Sequence, residues 1–179
     1  MNQAHEKSAK SVEPYLINLY KTTEEINAIR VLGKPFGIPR LLEYLGYDKE
    51  IVKNGFLTLT NNQHFAHVEQ TLGNALGVAQ GIAMQNPKQI VWCFISDSQL
   101  FMGPTLEAIL GIGAMNLKNV WLCVDYNKLG SRGRLPDFNF EGIFWNWNIK
   151  YVEMTDQWFN PEIGDKPKVW VFNSFRLFK

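Results

Sequence analysis

Cysteine and histidine are both scarce in this chain of 179 residues. The two cysteines, Cys93 and Cys123, lie inside apolar runs. Two thiols build neither a disulfide scaffold nor a zinc site, so packing must hold the fold, and a reducing, cytoplasmic setting is the simplest. No apolar run approaches the ~18 residues of a membrane span. The opening MNQAHEKSAK lacks the apolar centre of a secretory signal. A charge of one sign is missing too. Lys and Arg number 18 against 17 Asp and Glu, and no basic run stands out, which argues against a nucleic-acid partner. What is present is core material: 46% of the residues are hydrophobic, which excludes a disordered chain. The length suits one domain on a prior of ~150 residues.

Residues 1–13 read as a polar, flexible lead-in, and 14–179 as a single domain. Leu16, Leu19, Ile26 and Ile29 fall near helical spacing and predict a helix over 12–30. Arg40 to Tyr47 reads as a shorter helical piece. Gly73, Gly77 and Gly81 recur every four residues and share one face of a helix over 73–84. Glycine is a poor helix former, so three on one face predict that something packs close to that backbone. QIVWCFI over 89–95 is a continuous apolar run of strand length, the pattern of a strand buried on both faces. A helix over 103–115 follows, with Pro104 in its first turn. Further strands are predicted over 119–125, 151–154 and 168–172. Strand, helix and strand with short connections imply right-handed crossovers. The fold class is α/β: three layers, doubly wound, with a mainly parallel sheet.

Both of the best strands end in polar clusters, Ser96-Asp97-Ser98 and Asp125-Tyr126-Asn127. Open parallel sheets bind ligands at the carboxyl ends of their strands. Asp97 and Asn127 are one β-α-β unit apart, which sets both at the same sheet edge. A carboxylate with an amide oxygen suits Mg²⁺, which takes hard oxygen ligands and bridges to phosphate. A helix entered near Gly73 aims free N–H groups at that edge, where an anion is favoured. An Asp at a strand end also serves as a cap or turn former, and spacing alone leaves both readings open.

The motifs themselves carry a resemblance. LGNALGVAQGIA over 72–83 resembles the transketolase helix that begins LGQGL. SDSQLFMG over 96–103 resembles the thiamine diphosphate motif GDGELQEG. Leu117-Lys118-Asn119-Val120 through Asp125-Tyr126-Asn127-Lys128-Leu129 resembles the LxNLIxIVDxNxL segment that closes it. Weaker echoes stand at Val31 to Phe36, at Trp145-Asn146-Trp147 and at Lys166 to Val169. The resemblance is to the N-terminal, diphosphate-binding domain of the transketolase family, in truncated and divergent form. It implies thiamine diphosphate and Mg²⁺ as cofactors. Asp97 and Asn127 would be metal ligands through side-chain oxygens and Leu129 through its carbonyl. The Ser98 backbone would contact the diphosphate, and Leu72 and Gly73 would lie along the cofactor.

The departures shape the functional expectation. Serines replace both glycines around Asp97, and each adds a Cβ where the motif leaves room for a phosphate. Met102 replaces a glutamate that links the two sites of a dimer. Phe36 replaces a histidine. His67 or His64 is the counterpart of another family histidine, the residue type that holds substrate oxygens and moves protons. Cys93 and Cys123 read as buried structural thiols. The aromatics of 140–179, Trp145, Trp147, Trp158, Trp170, Phe175 and Phe178 among them, read either as a protein interface or as dense core. No segment reads as the second domain that holds the aminopyrimidine ring. Two expectations follow. One is a subunit of a split enzyme, moving two-carbon ketol units between sugar phosphates with a pyrimidine-binding partner subunit or as a homodimer. The other is a degenerate, non-catalytic homologue that serves as a binding or regulatory module.

Overall fold

The apolar runs of this sequence become strands covered on both sides. The structure, a computed structural model, describes residues 17–18, 20–33, 43–47, 64–68, 72–130, 133–152 and 163–173. Its strands are β1 (Ile29–Leu32), β2 (His67–Val68), β3 (Val91–Ser96), β4 (Val120–Tyr126), β5 (Leu129–Gly130), β6 (Gly133–Arg134), β7 (Asn148–Val152) and β8 (Lys168–Asn173). Its helices are α1 (Ala75–Gln85), α2 (Gly103–Ala114) and α3 (Phe140–Ile143). Six strands form one sheet in the order β2-β1-β3-β4-β8-β7, and every pairing in it is parallel. Leu129 and Gly130 pair antiparallel with Arg134 and Gly133 in a separate hairpin.

Alternation along the central strands divides the core. Trp92 and Phe94 of β3 face one side with Trp121, Cys123, Trp170 and Phe172, against Tyr20 from a helical segment over 20–25. Val91, Cys93 and Ile95 face the other side with Leu122, Val124 and Val171, under Leu76 and Ala79 of α1 and Ile109 and Ile112 of α2. Fully burying such a side chain contributes ~1.5–3 kcal/mol, so the filling of both faces is what fixes the three layers. Asn119 ties the layers at the entry to β4. Its amide donates to the carbonyls of Ala83, Asn86 and Gln89, meeting groups that the end of a helix leaves without intrahelical partners.

The α/β class and the parallel sheet are as the sequence predicts, with differences in the elements. The helix predicted over 12–30 ends at residue 25. Asn27 turns left-handed at φ +52°, and Ile29 starts a strand by donating its N–H to Ile90. The glycine stripe is also revised. Gly73 precedes α1 with φ +101°, and a Cβ there would meet Met102 Cβ at 2.8 Å, whereas Gly77 and Gly81 have no described atom within 4 Å of such a Cβ. The close approach therefore belongs to the entry turn, not to the helix face. The aromatic segment is largely core: Phe140, Phe144, Trp147 and Trp170 are buried, while Trp145 is exposed. Both cysteines are buried; the Trp92 indole donates to Cys123 Sγ at 3.0 Å, and burial pushes that thiol up. The lead-in 1–13, Phe36, Trp158, Phe175 and Phe178 lie outside the described residues. No helix among the described residues is long and apolar enough to cross a membrane.

Candidate functional site at the carboxyl ends of β3 and β4

Strand order creates the place for a site. The chain passes from β1 outward to β2, then returns across β1 to β3. The carboxyl ends of β1 and β3 thus flank a topological switch point, where open sheets hold ligands. At the end of β1, the Gly33 N–H bonds Phe94 O at 2.8 Å. A Cβ at Gly33 would collide with Gln99 Oε1 at 2.7 Å, so glycine is what admits the Gln99 side chain here. Gln99 is buried and accepts from the Ser96 N–H at 3.1 Å.

Register sets Ser96 of β3 beside Asp125 of β4. The next residues, Asp97 and then Asn127, therefore meet at one edge. Asp97 is fully buried. Its Oδ2 accepts the Asn127 N–H at 3.0 Å and the Lys128 N–H at 2.5 Å. Its Oδ1 is buried with no hydrogen-bond partner. Burial pushes the carboxyl up to about 6, against the pull of the amides of Lys128, Asn127 and Ser98. A carboxylate oxygen left bare in the interior is costly unless a cation meets it.

The neighbouring oxygens fit a hard cation. Asn127 is buried; its Nδ2 donates to Asp125 Oδ2 at 3.3 Å and its Oδ1 accepts the Leu129 N–H at 2.8 Å. The side-chain amide is thereby fixed with its oxygen toward Leu129. Lys128 bonds Leu135 through its carbonyl, so Lys128 and Leu135 form a hydrogen-bonded pair of the hairpin. Pair types alternate along an antiparallel ladder, which makes Leu129 and Arg134 the non-bonded kind. The Leu129 N–H and carbonyl both turn away from β6, toward the Asn127 side. Carboxylate, amide and carbonyl oxygens form the donor set Mg²⁺ takes, with water completing it. Among the described residues no group of three His, Cys, Asp and Glu side chains is placed to hold a metal.

The two elements after this edge frame it. Asp97–Phe101 forms a 3-10 turn entered from Ser96 at φ −86°. Neither serine adopts a left-handed backbone, so loss of the motif glycines strains nothing here. Gly73, at the mouth of α1, lies against Met102, and Thr105 of α2 donates to its carbonyl at 3.0 Å. Leu72 beside it is 49% exposed. Asn74 makes no side-chain cap, and no acidic residue sits in the first turn of α1, so the positive end of its dipole is not neutralised there. The candidates Leu72, Gly73, Asp97, Ser98, Asn127 and Leu129 are carried by consecutive turns of this one edge.

The histidines stand apart. His64 Nδ1 is 2.7 Å from the Tyr20 hydroxyl, and its carbonyl accepts from Arg30 in β1. That position is on the amino-terminal side of the sheet's register. His67 opens the edge strand β2 opposite Val31. The structure brings neither to Asp97. Reasoning from sequence missed Lys128 and Thr105. Lys128 has φ +59°, donates its N–H to Asp97, and pairs its ammonium with Asp137. Neither role has a signal in residue type.

Solved structures share this architecture. Transketolase from Leishmania mexicana matches with a TM-score of 0.65 at 16% identity, over 82% of this chain and 28% of its own. A Pichia stipitis transketolase, solved in complex with xylulose 5-phosphate, gives 0.65 at 19% identity, over 82% of this chain and 28% of its own. Transketolase from Campylobacter jejuni gives 0.64 at 16% identity, over 96% of this chain and 38% of its own. The chain thus spans about a third of the transketolase chains it matches. No curated protein matches it. The fold is that of an α/β domain of the transketolase type. The family model for the thiamine pyrophosphate enzyme, C-terminal TPP binding domain, matches residues 51–158, and the chain belongs to that family. Its description sets the domain at a C-terminus and the sequence resemblance at an N-terminus; both concern the domain that holds thiamine pyrophosphate.

Proposed function

We propose that this chain binds thiamine diphosphate together with Mg²⁺ and forms the diphosphate half of a split enzyme, with a second chain supplying the pyrimidine half. The reaction is transfer of a two-carbon ketol unit between sugar phosphates. One observation carries the reading: Asp97 Oδ1 is buried without a partner at the end of β3, beside Asn127 at the end of β4. Asp97, Asn127 and the Leu129 carbonyl would hold the metal. The cofactor, when bound, supplies the carbanion that adds to a ketose carbonyl. The chain's own part is binding and orientation. The Asn127 and Lys128 amides lock one Asp97 oxygen and leave the other for the cation. The entry of α1, with Leu72 and Gly73, would lie along the cofactor. The Pichia stipitis protein's complex with xylulose 5-phosphate supports sugar phosphates as the substrate class.

A second reading rests on a different observation. His64 is engaged with Tyr20, and His67 lies opposite Val31 on the edge strand β2, with no bond from either to Asp97. That favours a homologue that binds but does not catalyse. Titration calorimetry with thiamine diphosphate and Mg²⁺ tests the binding both readings share. Asp97→Ala is expected to abolish metal-dependent binding with an unchanged circular dichroism spectrum. Equal binding by wild type and variant would remove the metal assignment. Ketol transfer on addition of a pyrimidine-half chain then separates the two readings.

A further inference from the structure

The two residues that flank Asp97 touch each other. Ser96 Oγ and Ser98 Oγ lie 2.8 Å apart. Ser96 is 1% exposed, whereas Ser98 is half-buried. The pair therefore runs from the interior to the surface of the strand-end edge. A buried hydroxyl needs an acceptor for its hydrogen, and Ser98 Oγ is within reach of Ser96. If Ser96 donates to Ser98, the Ser98 hydrogen is left to point outward. The Ser98 hydroxyl thus stands on the open side of the edge. It does so one residue from the bare Asp97 Oδ1.

We propose that Ser98 Oγ, oriented by Ser96 Oγ, is the donor that meets a diphosphate oxygen beside Asp97. This inference rests on the thiamine diphosphate reading. The serines then do not obstruct the cradle. They add a side-chain donor, and the added Cβ atoms are offset by a hydrogen bond to a charged oxygen.

Titration calorimetry of the full chain with thiamine diphosphate and Mg²⁺ tests it on wild type, Ser98→Ala, Ser98→Gly, Ser98→Thr and Ser96→Ala. Loss of a hydrogen bond to a charged group is worth about tenfold in affinity. Ser98→Ala and Ser98→Gly are each expected to weaken binding by about that factor. Ser98→Thr keeps the hydroxyl and is expected to bind within about threefold of wild type, and Ser96→Ala to fall between these limits. The three Ser98 variants are expected to melt with the unliganded wild type, which marks the loss as local. A Ser98→Gly variant that binds as tightly as wild type, or more tightly, overturns the inference alone, because the serine is then only an obstruction. A wild type that takes up no cofactor at millimolar concentration overturns the thiamine diphosphate reading and this inference with it.

Discussion

Asp97 holds a conflict that can be measured without any ligand. Burial raises its carboxyl from 3.8 to about 6, so the folded chain binds this proton more tightly than the unfolded chain does. Between those values the native state holds more protons, and stability falls as pH rises through the window. The penalty is complete above about pH 6 and, at 1.36 kcal/mol per pK unit, amounts to ~3 kcal/mol at most. Asp97→Asn removes it. The variant is expected to match wild type near pH 4 and to exceed it by ~1–3 kcal/mol near pH 7.5 in urea unfolding. A wild type that gains stability relative to the variant across that window would refute the shift. At this scale the sequence is informative where side chains carry the chemistry. Asp97 and Asn127 are one crossover apart in a parallel sheet, and the register of Ser96 with Asp125 sets them together. Lys128 could not be read the same way. Its contribution is an N–H presented from a left-handed residue, and lysine has no preference that announces one.

Among the elements, α1 separates two uses of glycine. Gly73 has a positive φ and a neighbour at 2.8 Å, so Gly73→Ala must both strain the backbone and displace Met102. A loss of ~1–3 kcal/mol is expected in denaturant unfolding. Gly77 and Gly81 sit on the helix's exposed side, and no described atom would meet an added Cβ. Gly77→Ala and Gly81→Ala are each expected to raise stability by ~0.5–1 kcal/mol, through helix propensity alone. A loss at Gly77 or Gly81 in the isolated chain would restore the close contact that their spacing predicted. The same contrast marks what elements a sequence reveals. The runs of β3, β4 and β8 are legible because strands buried on both faces must be apolar throughout. The strand β1 is not. It has four residues, includes Arg30, and follows Ile26 at a spacing that continues the helical pattern until Asn27 breaks it. The strand β2 has two residues and no periodicity to detect. Both were therefore invisible, and with them the switch point that gives the Asp97 edge its meaning.

For the whole molecule, the decisive quantity is the coupling of ligand to folding. The chain spans 28% to 38% of the transketolases it resembles in fold, so catalysis by it alone is not the expectation to test first. Binding is. A ligand that occupies only the native state at 100 times its dissociation constant stabilises it by ~2.7 kcal/mol. For a domain of this length that is a rise in melting temperature of roughly 5–10 °C. The free site carries an uncompensated buried carboxylate oxygen, and the α1 entrance carries uncompensated positive dipole. Metal answers the first and diphosphate the second, so neither alone is expected to give the full shift. The expected result is a rise that needs thiamine diphosphate and Mg²⁺ together and disappears in Asp97→Ala. A shift from the cofactor without metal would leave the α1 entrance as an anion site and strip Asp97, Asn127 and Leu129 of their role. No shift at millimolar levels of both would mean that the free chain keeps the fold of a thiamine diphosphate domain without its ligand.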